Sequence, residues 1–295
     1  MKKLYTRTGE IVAARPNWTG EVTEEYTFQT VVGTSADGTE TREALRAHPR
    51  IAVEFLSDNF GPLGRRIGAD LKVWPDKGLR YLPVHWRYTK LAASANVGAT
   101  VLGLDRTPPW WMTPGSSVVL EGQSTQEVRE VASVGANSVT LTEPLTGAFA
   151  LGDRVILAWR VRYPASSSLS SRTSQHRQSR FRFEVDPGPV DLTGLPAATG
   201  FHEGHEILLK KPNFTSPITT VFDDQRETLD FGIGVVEVDR FKTFTTHQES
   251  LTYLAKTREQ ADFFIGMFTR SRGQRMPFWV PTFLFDAEPV SGGAQ

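Results

Sequence analysis

The sequence predicts a mainly β protein: two related β-sandwich or barrel modules, each with one short helix, separated by an inserted small antiparallel β-barrel. Three observations lead there. A phrase near the start, Arg15-Pro16-Asn17-Trp18-Thr19, returns as Lys211-Pro212-Asn213-Phe214-Thr215. After each copy come, in the same order, strands rich in Thr, Val and Phe, a stretch of helical character, and an aromatic segment holding proline. Those segments run from Leu79 to Trp86 and from Gln274 to Pro281. Such self-similarity assigns whole modules at once. Between the copies the pattern changes to short strands at close spacing, as in a small barrel or sandwich. The predicted division is a first module over 1–95, an inserted barrel over 96–163, a Ser/Arg-rich loop and linker strand over 164–200, and a second module over 201–295.

The first module begins after Pro16-Asn17-Trp18. Val22, Tyr26, Phe28 and Val31-Val32 fall at a rough period of two, and Asp37-Gly38 supplies a hairpin turn. Residues 39–46 fit either a helix or a returning strand; Pro49 disfavours helix just before it, and 51–56 is again strand-like. A short helix is predicted over 63–71. Strands of the insert are predicted over 99–104, 117–120, 126–134, 138–142 and 154–161, with turns at Pro114-Gly115, Gly135-Ala136-Asn137 and Leu151-Gly152-Asp153. Residues 166–182 carry many Ser and Arg and read as a loop leading into a strand over 181–185; 186–200 reads as a Pro/Gly-rich linker. Strands return over 206–209, 218–222, 228–238 and 240–246. The clearest helix follows: Thr257 caps it, Gln260 completes a capping box, Ala261, Phe264, Ile265 and Phe268 form an apolar stripe, and Gly273 stops it. Residues 276–285 read as an extended, largely buried strand.

Composition removes several function classes. Of 295 residues, Lys+Arg number 33 and Asp+Glu 33, so no global field draws the chain to nucleic acid or an anionic membrane. Cysteine is absent, which excludes thiolate catalysis, cysteine metal sites and disulfides. The basic start runs into polar residues without an apolar core, unlike a signal peptide, and no apolar run reaches membrane-spanning length. His202-Glu203-Gly204-His205-Glu206 places its two His one residue too close for a helical zinc motif, which needs them four apart on one face; the expectation is a polar loop and no metal. Asp223-Asp224 lacks the alternating oxygens of a calcium loop. Gly232-Ile233-Gly234 sits in strand-like sequence and not at a strand-to-helix turn. No phosphate-cradling loop or nucleophile elbow is present. No catalytic residue and no cofactor are expected.

Two binding features stand out. Trp110 and Trp111 are adjacent in a Pro-rich stretch, where paired indoles either contact a glycan or partner, or cap a small core. The arginines of 166–182 either touch phosphate or form an ordinary solvated surface.

Taken together, Pro16-Asn17-Trp18, Phe28-Gln29-Thr30, Asp37 to Arg42, Ala44-Leu45-Arg46 and Pro49-Arg50, with 257–268 and Arg272-Gly273-Gln274-Arg275 leading into Pro277 to Thr282, resemble minor tail proteins of bacteriophages with long non-contractile tails, or of phage-derived particles. The likeness is to the distal tail or tail-hub type and covers about half of the chain. It implies a structural virion protein of the tail tip, assembled in the host bacterial cytoplasm, forming a ring that joins tail tube to baseplate around the DNA exit channel. It implies as partners the chain itself, the tail tube protein, and the baseplate hub or other tail-tip proteins. It also implies no membrane, and DNA only as passing cargo. The repeat allows a homo-trimer forming a pseudo-six-fold ring; a homo-hexamer is the competing arrangement. A carbohydrate-binding adhesion protein is the second reading, and a hydrolase the third.

Overall fold

The computed structural model describes residues 11–35, 39–61, 67, 78–162, 166–171, 173, 176–186, 194–215, 217–223, 226–229, 237–240, 246–281 and 283. The strands of the first half are β1 (Val22–Thr27), β2 (Thr30–Thr34), β3 (Glu40–Ala44), β4 (Arg50–Phe60) and β5 (Arg80–Lys90). Then come β6 (Val101–Gly103), β7 (Ser117–Glu121), β8 (Gln126–Val134), β9 (Ser138–Leu141), β10 (Arg154–Val161), β11 (Ser166–Ser171) and β12 (His176–Glu184). The last third holds β13 (Phe201–His202), β14 (His205–Glu206), β15 (Thr219–Asp223), β16 (Arg226–Leu229), β17 (Glu237–Arg240) and β18 (Thr246–Ser250). One helix, α1 (Arg258–Arg270), follows. The protein is therefore mainly β, with antiparallel ladders throughout. Of the predicted first helix only Ile67 is described, helical and buried; the Asp37-Gly38 turn and the Gly232-Gly234 segment lie outside the described residues.

The chain separates into two compact units: Met1–Thr27 with His48–Leu195, and Phe28–Ala47 with Pro196–Gln295. The first unit holds a four-stranded sheet, ordered β1-β4-β12-β11, and a six-stranded sheet, ordered β5-β10-β7-β8-β9-β6. Strand β4 alternates strictly, sending Ile51, Val53 and Phe55 inward, as a pleat with one buried face requires. Phe55 lies opposite Phe181, with ring centroids 6.0 Å apart, and 5.8 Å from Phe183. Each such buried ring contributes about 2–3 kcal/mol.

The Ser/Arg-rich stretch is a hairpin rather than a loop, because β11 pairs β12 and β12 pairs β4. Serine and arginine are weak strand signals, but this sheet supplies what propensity lacks. On its outer face Arg182 pairs with Glu25 at 2.6 Å and Glu54 at 3.5 Å, and Arg180 also pairs with Glu54.

In the six-stranded sheet, β8 and β10 match their predicted spans, and Gly115 and Gly152 take φ of 84° in the predicted turns. Pro83 lies within β5 opposite Ala158, where the register shifts between Ile156 and Ala158. A residue without an N–H is tolerated at such an irregularity on the outermost strand of the order. A bridge from Leu91 to Leu104 ties β6 back to the end of β5, with Asp105 N–H donating to Lys90 O at 2.9 Å. Strand β5, assigned from sequence to the first module, thus shares a sheet with the strands of the expected insert.

Among its described residues, the second unit holds two-stranded ladders and α1. Its core is Leu208, Phe263 and Met267, with Tyr253, Phe264 and Val280 packed against them. The Thr257 hydroxyl accepts from Gln260 N–H at 3.3 Å, while Gln260 Oε1 accepts from Lys256 N–H at 2.8 Å, one residue outside the expected capping box. The buried face of α1 is Asp262, Phe263, Gly266 and Met267, which corrects the expected stripe. Phe264 meets Tyr253 at a tilt of 46° with centroids 4.9 Å apart, and Phe268 meets Phe28 at 5.5 Å, so apolar residues on this helix serve more than one neighbour. The expected single strand over 228–238 is resolved into β16 and β17, which pair with each other. Of the expected buried strand over 276–285, the described residues make one parallel bridge, Ile207 to Trp279, with Met276, Phe278 and Trp279 exposed. Pro277 and Pro281 lack the N–H groups a longer ladder would need.

Candidate assembly surfaces

The two Pro-Asn-aromatic-Thr phrases are built alike. In the first unit, Asn17 Oδ1 accepts from Thr19 N–H at 3.0 Å and from its hydroxyl at 2.8 Å, while Asn17 N–H donates to Leu56 O at 2.6 Å. In the second, Asn213 Oδ1 accepts from Thr215 N–H at 3.1 Å and its hydroxyl at 2.8 Å, while Asn213 N–H donates to Thr252 O at 2.6 Å. Asparagine suits this position because its carboxamide copies a backbone turn. Pro16 and Pro212 are both buried, and the aromatic residue at each tip is exposed, Trp18 by 62% and Phe214 by 54%.

The strands that follow correspond pair by pair. Thr23 lies opposite Glu54 and Tyr26 opposite Ile51; displaced by one constant interval, Thr219 lies opposite Ser250 and Phe222 opposite His247. Within each long pair sits a hairpin. Thr30 pairs Ala44 and Gly33 pairs Thr41; at the same interval Arg226 pairs Arg240 and Leu229 pairs Glu237. Parallel bridges from Ile11 to Tyr81 and from Ile207 to Trp279 begin at the same interval, although their far ends differ from it by two residues.

The tryptophan pair is divided by its surroundings. Trp111 is 3% exposed and belongs to the core, whereas Trp110 is half-buried with the Arg87 guanidinium 5.3 Å from its ring centroid. Both line a cavity of about 280 Å³ together with Trp159, Arg160 and Asp186. The indole nitrogens of Trp111 and Trp159 are buried without a hydrogen-bond partner. His202 and His205 face each other across the tight β13–β14 hairpin, whose turn residues Glu203 and Gly204 take φ of 49° and 80°. No group of three or more metal-ligating side chains occurs among the described residues.

Three buried polar clusters escaped sequence reading. His85 is packed on β5, and burial pushes its imidazole down to about 4; Glu121 opposes this, while Arg15 and Arg154 reinforce it. Glu127 and Arg129 pair at 2.7 Å inside the first unit, and Glu127 also accepts from Thr146 N–H at 3.0 Å and its hydroxyl at 2.7 Å. Opposite charges two apart on one strand were the available signal, since such residues share a face. At Glu24, burial alone would raise the carboxyl; the neighbouring Arg87 cation outweighs it, helped by hydrogen bonds from Arg87, Trp86 and Tyr26, and holds it below the usual range.

No protein-family model matches the sequence, and no curated protein matches it.

Proposed function

We propose that this chain is a structural protein of a phage-type tail tip whose duplicated β modules build a ring around a DNA channel, joining tail tube to baseplate. The observation that carries the reading is the pairwise identity of register in the two halves. Two modules sharing turn, long ladder and embedded hairpin are what a chain needs to present six similar elements from three copies. We read the four-stranded sheet as one face of a sandwich. The Leu91–Leu104 bridge supports a closed small barrel for the six-stranded sheet. The pairing of Arg180 and Arg182 with Glu54 and Glu25 fits a surface that does not grip phosphate, as a conduit for passing DNA requires. Exposed Trp18, Phe214, Phe201 and Phe222 supply apolar area of the kind that self-association covers. Electron microscopy of the purified chain tests the reading: closed rings with a central channel are expected, and a population of single chains at every concentration contradicts it.

A second reading, glycan binding, draws on the cavity lined by Trp110, Trp111 and Trp159. Trp110→Ala should abolish binding to a panel of soluble oligosaccharides if this reading holds. No binding by the unaltered protein would remove it.

A further inference from the structure

His202 and His205 are three residues apart, the wrong spacing for two ligands on one helix face but the right one for a hairpin with a two-residue turn. In such a hairpin the residues flanking the turn lie directly opposite one another, on one face of the ladder. The chain makes that turn: Glu203 and Gly204 both take positive φ, 49° and 80°, and His202 pairs with His205. Directly opposed residues hold their Cβ atoms about 5 Å apart, which lets two imidazole rings converge on one ion. The ladder is anchored from outside. Trp279 Nε1 donates to His202 O at 3.1 Å, and Trp279 N–H donates to Glu206 O at 2.8 Å. The Arg270 guanidinium donates to both carboxylate oxygens of Glu206, at 2.6 and 2.9 Å. The His202 ring also rests edge-on against Trp279, with centroids 5.3 Å apart. Two imidazoles are thus presented by a fixed backbone, the condition under which a second donor adds most to the first.

His202 is exposed and His205 half-buried, so solvent reaches the pair. His202 Nε2 stands 4.0 Å from Glu203 Oε1, too far for a hydrogen bond to occupy it but near enough for the carboxylate to favour a cation. We propose that His202 and His205 chelate one divalent late transition-metal ion, of the zinc, nickel or copper class, through one ring nitrogen each. Imidazole suits these metals, whereas magnesium and calcium take oxygen ligands. No group of three or more metal-ligating side chains occurs among the described residues, so the chelate is two-fold and water fills its remaining positions. Cysteine, a competing ligand for such ions, is absent. The proposal stands apart from the tail-tip reading.

The test titrates the full chain, without a histidine tag, with Ni2+ and separately with Zn2+ by calorimetry, while NMR of the ring nitrogens follows all six histidines as Ni2+ is added. The expected result is one ion per chain, unaffected by excess Mg2+, with the His202 and His205 signals broadened first. His202→Ala and His205→Ala should each weaken binding at least about tenfold, because each leaves a single donor. A further variant exchanges neighbours, Phe201→His with His202→Phe. It keeps six histidines but moves one to the opposite face of the strand, across from Glu206, and changes only exposed positions. It should lose binding to the same extent. Unchanged affinity in the exchanged chain, broadening shared equally with the other histidines, or no binding of either metal would overturn the chelate. Rings that form without metal binding would overturn the chelate alone; metal binding by a chain that stays single would overturn the ring alone.

Discussion

Asn17 and Asn213 each use one carboxamide oxygen to accept two hydrogen bonds, and each shapes a turn with an exposed aromatic at its tip. Asn17→Ala and Asn213→Ala should each cost about 1–2 kcal/mol, read as a lower denaturant midpoint. Aspartate keeps the acceptor, so Asn213→Asp should recover most of the loss. Asn17→Asp should not, because Asn17 Nδ2 donates to Asp58 and the replacement would set two carboxylates together. Loss at one position only would contradict the equivalence of the turns. His85 gives a pH signature. Its folded-state value of about 4 lies below the ordinary 6.5, so the unfolded chain binds its proton first and stability falls as pH drops through that window. The loss is on the order of 3 kcal/mol, and His85→Gln should flatten the curve between those limits. Glu127→Ala strands a buried guanidinium and should cost about 3–5 kcal/mol, whereas replacing Glu127 and Arg129 together by apolar residues should cost far less. Equal costs for the single and double variants would show that the pair is not the source.

At the scale of elements, what could be read in advance was set by how local the signal is. Strands β8 and β10 were legible because apolar residues and flanking glycine turns lie within them. The β11–β12 hairpin was not: its Ser and Arg become strand only through pairing with β4 and the ion pairs to Glu25 and Glu54, which lie far away in sequence. The face of α1 was misjudged for a related reason. Phe264 and Phe268 are apolar because they meet Tyr253 and Phe28, while the central core takes Phe263 and Met267. The paired tryptophans were visible as a motif, but only packing separates a core residue, Trp111, from a half-buried one, Trp110. Gly273 was legible as a helix stop, whereas its second role against Phe28 was hidden by the distance along the chain. Gly273→Ala should therefore cost about 1–3 kcal/mol and speed amide exchange in β2 and β3. A change confined to the end of α1 would show that the hairpin does not depend on this approach.

For the whole molecule, the five-residue echo proved to be the visible end of a longer correspondence that includes the turn, the β1–β4 and β15–β18 ladders and the hairpin within each. Residue identity has been lost across most of it, since Tyr26 corresponds to Phe222 and Ile51 to His247, while hydrogen-bond register has not. Register lasts because a slip of one residue would turn every side chain of a strand to the wrong face. In the proposed reading, two such modules in one chain let a three-chain ring present six similar elements. Native mass spectrometry of the purified protein tests this proposal most directly. Three chains per closed particle is the predicted result; six chains per ring, or a stable single chain, would contradict it.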